Sequence, residues 1–186
     1  MTDSRNAIAL AALLLAAMGT LHLMGQPWWC SEGDLWPWAA DINSTHNSQH
    51  LVDAYTLTHV LHGIALYAIL WALAGARLEQ RNRFLVAMAV ETAWEIFENT
   101  DFVIGRYREA TISLDYFGDS ILNSIGDIGA CATGYALAMA IPAWASVALF
   151  AGVEIFLLLW IRDSLLLNIV MLLRPLESIK AWQLGG

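Results

Sequence analysis

Positive charge is scarce in this sequence. Nine Lys and Arg stand against seventeen Asp and Glu, a net charge of -8, whereas binding nucleic acid calls for basic patches. Charge of either sign is thin, at 14% of residues, against about a quarter in a soluble domain. Cysteine is nearly missing. Cys30 sits in a loop-like stretch and Cys131 in an apolar run, which is no disulfide framework, and Cys131 reads as a small buried hydrophobe. There is no internal repeat, low-complexity segment, P-loop, dinucleotide fingerprint or nucleophile motif.

What fills the space is apolar. Of 186 residues 58% are hydrophobic, and several runs reach the roughly 20 residues that span a bilayer. The expected fold is all-α: a single integral-membrane domain over 1–186, a polytopic helical bundle of about five transmembrane helices. Asn6 to Met24 reads as an uncleaved first span, since it is long and no small-residue cleavage site follows. Gly25 to His50 is a loop with Trp28, Trp29, Trp36 and Trp38 and no Lys or Arg, an aromatic belt for the membrane surface. Leu51 to Ala76 is the second span. Arg77, Arg81 and Arg83 follow and mark the cytoplasmic side by the positive-inside rule. Phe84 to Asn99 starts the third span, Thr100 to Phe117 is an outer loop, and Gly118 to Ile141 is the fourth span. After Pro142, Ala143 to Ile161 makes the fifth. Ser164 to Leu173 is too short to cross, and is read as a C-terminal interfacial or re-entrant helix. Strict alternation puts Arg162, Arg174 and Lys180 outside, against the charge rule, so the topology beyond Pro142 is open.

Charge inside membrane helices is expensive and usually functional, and here it falls on matched faces. Glu91, Glu95 and Glu98 share one side of the third span, at spacings of four and three. Asp119, Asn123 and Asp127 recur every fourth residue on the fourth, with Gly126 allowing close approach of a neighbour. Asp53, Thr56, His59 and His62 repeat every third residue along the second. At about 1.5 Å of rise per residue, His59, Glu91 and Asp127 fall at similar depth. Glu95, Asn123 and Thr56 form a shallower layer. Glu98, Asp119 and Asp53 ring the mouth, within reach of Arg106 and Arg108. The expectation is a pocket open to the periplasmic side. Its carboxylates cannot all ionise side by side, so protons, arginines, histidines or a metal must compensate. His with Asp and Glu suits a divalent metal such as zinc, manganese or iron, although His59-x-x-His62 is not the helical zinc-protease motif. Each acid also has a plainer use as interhelical glue, and a lone span histidine such as His22 is ordinarily a core hydrogen-bonding residue.

Asn47-Ser48-Gln49-His50-Leu51, Tyr55-Thr56, His59-Val60-Leu61-His62-Gly63 and Trp94-Glu95-Ile96-Phe97-Glu98-Asn99-Thr100 resemble an uncharacterised family of small bacterial inner-membrane proteins. Arg106-Tyr107-Arg108, Asp115-Tyr116, Gly118-Asp119-Ser120-Ile121, Asn123-Ser124 and Arg174-Pro175-Leu176-Glu177 extend the match from about residue 28 onward. The resemblance implies a multi-pass protein of the bacterial inner membrane and assigns no activity, because that family is a domain of unknown function. A looser pattern is similar to the VanZ-like membrane proteins, which are linked to envelope and glycopeptide-antibiotic phenotypes. It consists of His59 or His62, then Glu95, Arg106 or Arg108, Asp119, Asn123 and Gly126. Glu91, Glu98 and Asp127 depart from it.

Three functional classes follow. One is an intramembrane hydrolase or transferase acting on a lipid or lipid-linked envelope substrate. Glu95 or Asp119 would be its general base, Arg106 a catalytic cation, and Arg106, Arg108, Asn99 and Asn123 the substrate-binding groups. A metal on His59, His62, Glu91, Glu98 and Asp127 would activate water. The second is an ion- or proton-coupled transporter, for which a homodimer could supply the symmetry a five-span chain lacks. The third is a non-catalytic lipid-binding or assembly factor. Membrane lipids are the partners expected in all three.

Overall fold

A computed structural model describes residues 2–111 and 116–185; Asp115, which carries part of the family resemblance, lies outside them. Among the described residues the fold is helical, with one two-residue parallel β pairing, β1 (Trp38–Ala39) with β2 (Val52–Asp53). The helices are α1 (Thr2–Leu23), α2 (Thr56–Ala74), α3 (Gln80–Glu98), α4 (Asp101–Ala110), α5 (Ile121–Ala140), α6 (Ala143–Ile161), α7 (Leu165–Leu173) and α8 (Glu177–Gln183). Three stretches, Ser4–Leu23, Thr56–Ala74 and Ala143–Ile161, are long and apolar enough to cross a membrane. Helices α3 and α5, of 19 and 20 residues, match them in length but carry the acids.

Glycine sets the centre of the bundle. A Cβ on Gly63 of α2 would stand 2.0 Å from the Cys131 carbonyl oxygen, one on Gly134 of α5 1.9 Å from that of Val60, and one on Gly126 2.1 Å from that of Leu51. Only glycine permits backbones to approach this closely. Because Leu51 meets Gly126 while Val60 and Gly63, further along, meet Gly134 and Cys131 with Tyr135, the two helices run parallel. Ala17 of α1 and Ala87 and Met88 of α3 close a cluster with Ile128, Cys131 and Tyr135 on the other side of this seam. Helix α6 runs the opposite way. Its Val153 packs near Leu61, Ile64 and Ala138, and its Leu157 and Ile161 pack on Ala54.

The chain then turns back into the bundle. Arg162 takes a left-handed conformation, φ 54°, and Leu165 packs with Leu61 and Ile64, deeper along α2 than Ala54. From there α7 rises until Leu172 meets Val103, Ile104 and Tyr107. The start of α7 is therefore inside the protein, where orphan helix N–H groups need partners. Ser164 Oγ accepts from Leu167 N at 3.3 Å, and the Glu154 carboxylate of α6 accepts from Leu166 N at 3.3 and 3.4 Å. Negative charge at that terminus also suits the helix dipole. The isolated Glu154 of the fifth apolar run thus has a structural use.

Four sequence expectations change. Asp53 is on β2 and not on the helix with His59. It caps α2 reciprocally, Oδ1 accepting from Thr56 N at 3.1 Å while Asp53 N donates to Thr56 Oγ at 3.0 Å. Asp119 precedes the helix it was expected on, because Ser120 is the N-cap of α5, its Oγ accepting from Asn123 N at 3.1 Å. The outer loop from Thr100 contains α4, started by Thr100 as N-cap. Finally, Arg106 Nε donates to Leu172 O at 2.7 Å and Lys180 Nζ to Glu109 O at 2.7 Å, so the C-terminal segment is tied to α4.

Candidate functional site

Two histidines on α2 face one carboxylate of α3. His59 Nδ1 lies 2.7 Å from Glu91 Oε1, and His62 Nδ1 lies 3.0 and 3.1 Å from the two Glu91 oxygens. The three-residue spacing of the histidines brings both rings to the same point, their centroids 4.8 Å apart. Glu95, one turn on from Glu91, reaches His59 Nδ1 at 3.2 Å, and Asp127 of α5 reaches His59 Nε2 at 3.9 Å. The faces read from three separate stretches of sequence do meet. His59, His62 and Glu91 each offer a donor atom within 4.8 Å of the others, and so do His59, Glu95 and Glu98. Either set could hold a metal ion.

The polar charge balance is unusual. Glu95 is fully buried; its Oε1 stands 3.2 Å from His59 Nδ1, but neither of its oxygens has a partner in hydrogen-bond geometry, and Asp127 Oδ1 has none either. A buried carboxylate without hydrogen bonds is costly, so a proton or a cation belongs here. The arginines expected to compensate point elsewhere. Arg106 is bound to Leu172, and Arg108 Nε donates to Tyr116 O while its guanidinium lies 4.3 Å from the Phe117 ring.

Beside the cluster is a cavity of about 320 Å³. Its lining combines polar side chains, His59, His62, Glu91, Glu98, Asp119 and Asp127, with apolar ones, Ala65, Leu66, Val90, Leu165, Ile169 and Leu172. Among the described residues, Glu95, Asn99, Asn123, Arg106 and Arg108 do not line it. Glu95 sits behind His59. Asn99 holds Asp119 from two directions, accepting from its backbone N at 2.7 Å and donating to its Oδ2 at 2.8 Å. Asn123 donates to His50 O at 2.7 Å and anchors the preceding loop to α5. Tyr116 donates to Asp119 Oδ1 at 2.9 Å. Burial pushes the Asp119 carboxyl up to about 6, against the downward pull of Asn99 and Tyr116. Burial also raises Asp53, opposed by N–H groups of Thr56 and Ser48.

Several cavity residues carried no signal strong enough to single them out. Tyr55, Trp94, Tyr107 and Tyr116 line it, as does Asn168. Asn168 was the most legible of these, as the one polar residue of the LLLNIVMLL run that forms α7.

Fold and site together define an all-helical protein with membrane-length apolar helices and a buried histidine–carboxylate cluster beside an amphipathic cavity. Residues 21–185 match the family described as "Protein of unknown function (DUF2585)", and the chain belongs to that family. It is 47% identical over 171 residues to a UPF0314 protein of Paracoccus denitrificans, covering 92% of this chain and 88% of the relative. A UPF0314 protein of Rhizobium meliloti is 47% identical over 182 residues, 94% and 92% of the two chains. One of Sinorhizobium fredii is 46% identical over 191 residues, 99% and 96%. No solved structure matches.

Proposed function

We propose that this chain is a multi-pass protein of the bacterial inner membrane, and that its site binds a divalent metal and hydrolyses or transfers a group on a lipid or lipid-linked envelope substrate. One observation carries the reading: His59, His62 and Glu91 converge beside a cavity lined by both polar and apolar side chains. A ligand that matches such a lining carries both a polar group and an apolar part. Imidazole and carboxylate together suit zinc, manganese or iron. Such an ion, held by His59, His62 and Glu91, would lower the pKa of bound water and supply the nucleophile. Asp119 lines the cavity and is held by Asn99 and Tyr116, which suits a group that takes and returns a proton. Glu95 orients His59 from behind. Arg106 and Arg108 brace the cavity wall through Leu172 and Tyr116. Helices α1, α2, α3, α5 and α6 cross the membrane, α7 is re-entrant, and the cavity opens to the periplasm.

The test is metal content of the detergent-purified chain by elemental mass spectrometry, beside a His59→Ala, His62→Ala variant. The reading expects about one metal equivalent lost in the variant, and metal-dependent release of phosphate or fatty acid from an inner-membrane lipid extract. Equal metal content in both proteins would overturn it. A second reading rests on the buried Glu95 oxygens, which lack a hydrogen bond and suit a proton carrier in a coupled transporter. Glu95→Gln would then abolish proton-dependent uptake into vesicles while metal content stayed unchanged.

A further inference from the structure

A second cluster of metal-ligating side chains lies outside the cavity, in the segment between α1 and α2. Cys30, His46 and His50 each present one donor atom, all within 4.8 Å of one another. Cys30 Sγ is 3.3 Å from His46 Nδ1, and His46 Nδ1 is 3.2 Å from His50 Nε2. Cys30 and His50 are buried, and His46 half-buried. We propose that these three side chains form a binding site for a zinc-class divalent ion, distinct from the site at His59 and His62, and that the ion fixes the lip of the cavity.

The hydrogen-bond pattern favours an ion over a simple polar cluster. His50 Nδ1 abuts the Trp36 carbonyl oxygen. A carbonyl can only accept, so Nδ1 carries the ring hydrogen, and the Nε2 lone pair points at His46. An imidazole whose far nitrogen donates to a backbone carbonyl is the usual arrangement of a metal-bound histidine. Without an ion, a single His46 Nδ1 hydrogen would be shared between Nε2 and a thiol sulfur, a weak acceptor. With one, the spacing is natural. Tetrahedral zinc with Zn–N of about 2.0–2.1 Å and Zn–S of about 2.3 Å puts neighbouring ligand atoms about 3.3 Å (N to N) and 3.6 Å (S to N) apart. Water would complete the coordination at the half-buried side.

The fold gives the ion something to do. Residues 24–55 have little regular structure beyond the short β1–β2 pairing, and segments of this length need an organising device. Ser48 lies between the two histidines and lines the cavity. It has φ 59°, and its carbonyl accepts from Ser120 N at 2.9 Å. Gln49 Nε2 donates to Gly118 O at 2.9 Å. An ion clamping His46 and His50 to Cys30 would therefore hold the turn that joins this segment to the start of α5. Cys131 is buried in the helical core, so it is no disulfide partner for Cys30.

The experiment uses the full chain in detergent, stripped with chelator and titrated with Co²⁺ and separately with Zn²⁺. The expected result is a thiolate-to-cobalt charge-transfer band in the near ultraviolet, together with at least about tenfold slower alkylation of Cys30 by iodoacetamide once zinc is added. The band should vanish in Cys30→Ser, weaken in His46→Ala, and persist in His59→Ala, His62→Ala, which separates this site from the one in the cavity. The alkylation comparison needs no variant, so a poorly folding Cys30→Ser protein leaves the test intact. A cobalt spectrum without the thiolate band, or alkylation at the same rate with and without zinc, overturns the proposal.

Discussion

At the scale of single residues, Asp119 is the most exacting member of the cavity. It is buried, held by Asn99 and Tyr116, and its carboxyl lies at about 6 rather than near 3.8. The folded protein therefore holds this proton more tightly than the unfolded chain. Its contribution to stability is fully present below about pH 4 and is lost as pH rises through about 6. At about 1.4 kcal/mol per unit, the swing is on the order of 2–3 kcal/mol. Thermal melts of the metal-free protein should show Tm rising as pH falls from 7 to 5, with Asp53 acting in the same direction. Asp119→Asn should flatten much of that rise, and an unchanged pH profile in this variant would contradict the assignment. Asp119 also marks what was legible beforehand. That it joins the polar group was readable from its spacing to Asn123 and Asp127. That it precedes the helix was not, because Ser120 competes for the cap and only the folded turn shows which residue wins. Cys30, His46 and His50 were out of reach for a similar reason: no local spacing rule links a cysteine to histidines across an irregular loop.

At the scale of elements, the α2–α5 seam governs whether the site assembles. The Cβ clashes at Gly63 and Gly134 are with backbone oxygen, so no side-chain movement relieves them. Gly134→Ala should force the helices apart and cost on the order of 1–3 kcal/mol, read as a lower Tm and, on the proposed reading of the site, weaker metal binding at His59 and His62. Gly152→Ala, on α6 with nothing within 4 Å of a Cβ, should melt as the parent does. The places of the five long helices were readable from the sequence, and Ala143–Ile161 matches the expected bounds; α2 begins at Thr56 instead of Leu51, and α3 begins at Gln80, before Phe84. The parallel pairing of α2 with α5 was not readable, since glycine spacing alone does not name a partner. The position of α7 likewise depends on Glu154 and Ser164 satisfying its buried N-terminus, a tertiary fact.

At the scale of the molecule, charge alone does not orient the chain. Arg5, Arg77, Arg81 and Arg83 lie at one end of the bundle. The other five of the nine basic residues, Arg106, Arg108, Arg162, Arg174 and Lys180, lie at the end bearing the cavity. Among these five, Arg106, Arg108, Arg162 and Lys180 all donate to backbone carbonyls, as Arg83 does to Gly75 O at the opposite end, so engagement by the fold does not separate the two groups. On the five-crossing reading, Asn43→Cys, in a chain with both Cys30 and Cys131 replaced, should react with a membrane-impermeant maleimide in intact cells. Arg77→Cys in the same chain should react only after permeabilisation. The reverse pattern would turn the protein over.

Helix α3 is as long as its neighbours but too polar to count among the apolar three. During synthesis it emerges before α5, so Asp127 and Asn123 are not yet available to it. Its first polar company is the pair of imidazoles on α2, which has already left the ribosome. On the five-crossing reading, handing α3 to lipid alone would expose three glutamates to hydrocarbon, so α2 and α3 should leave the translocon as a hairpin, with His59 and His62 acting as escorts for Glu91.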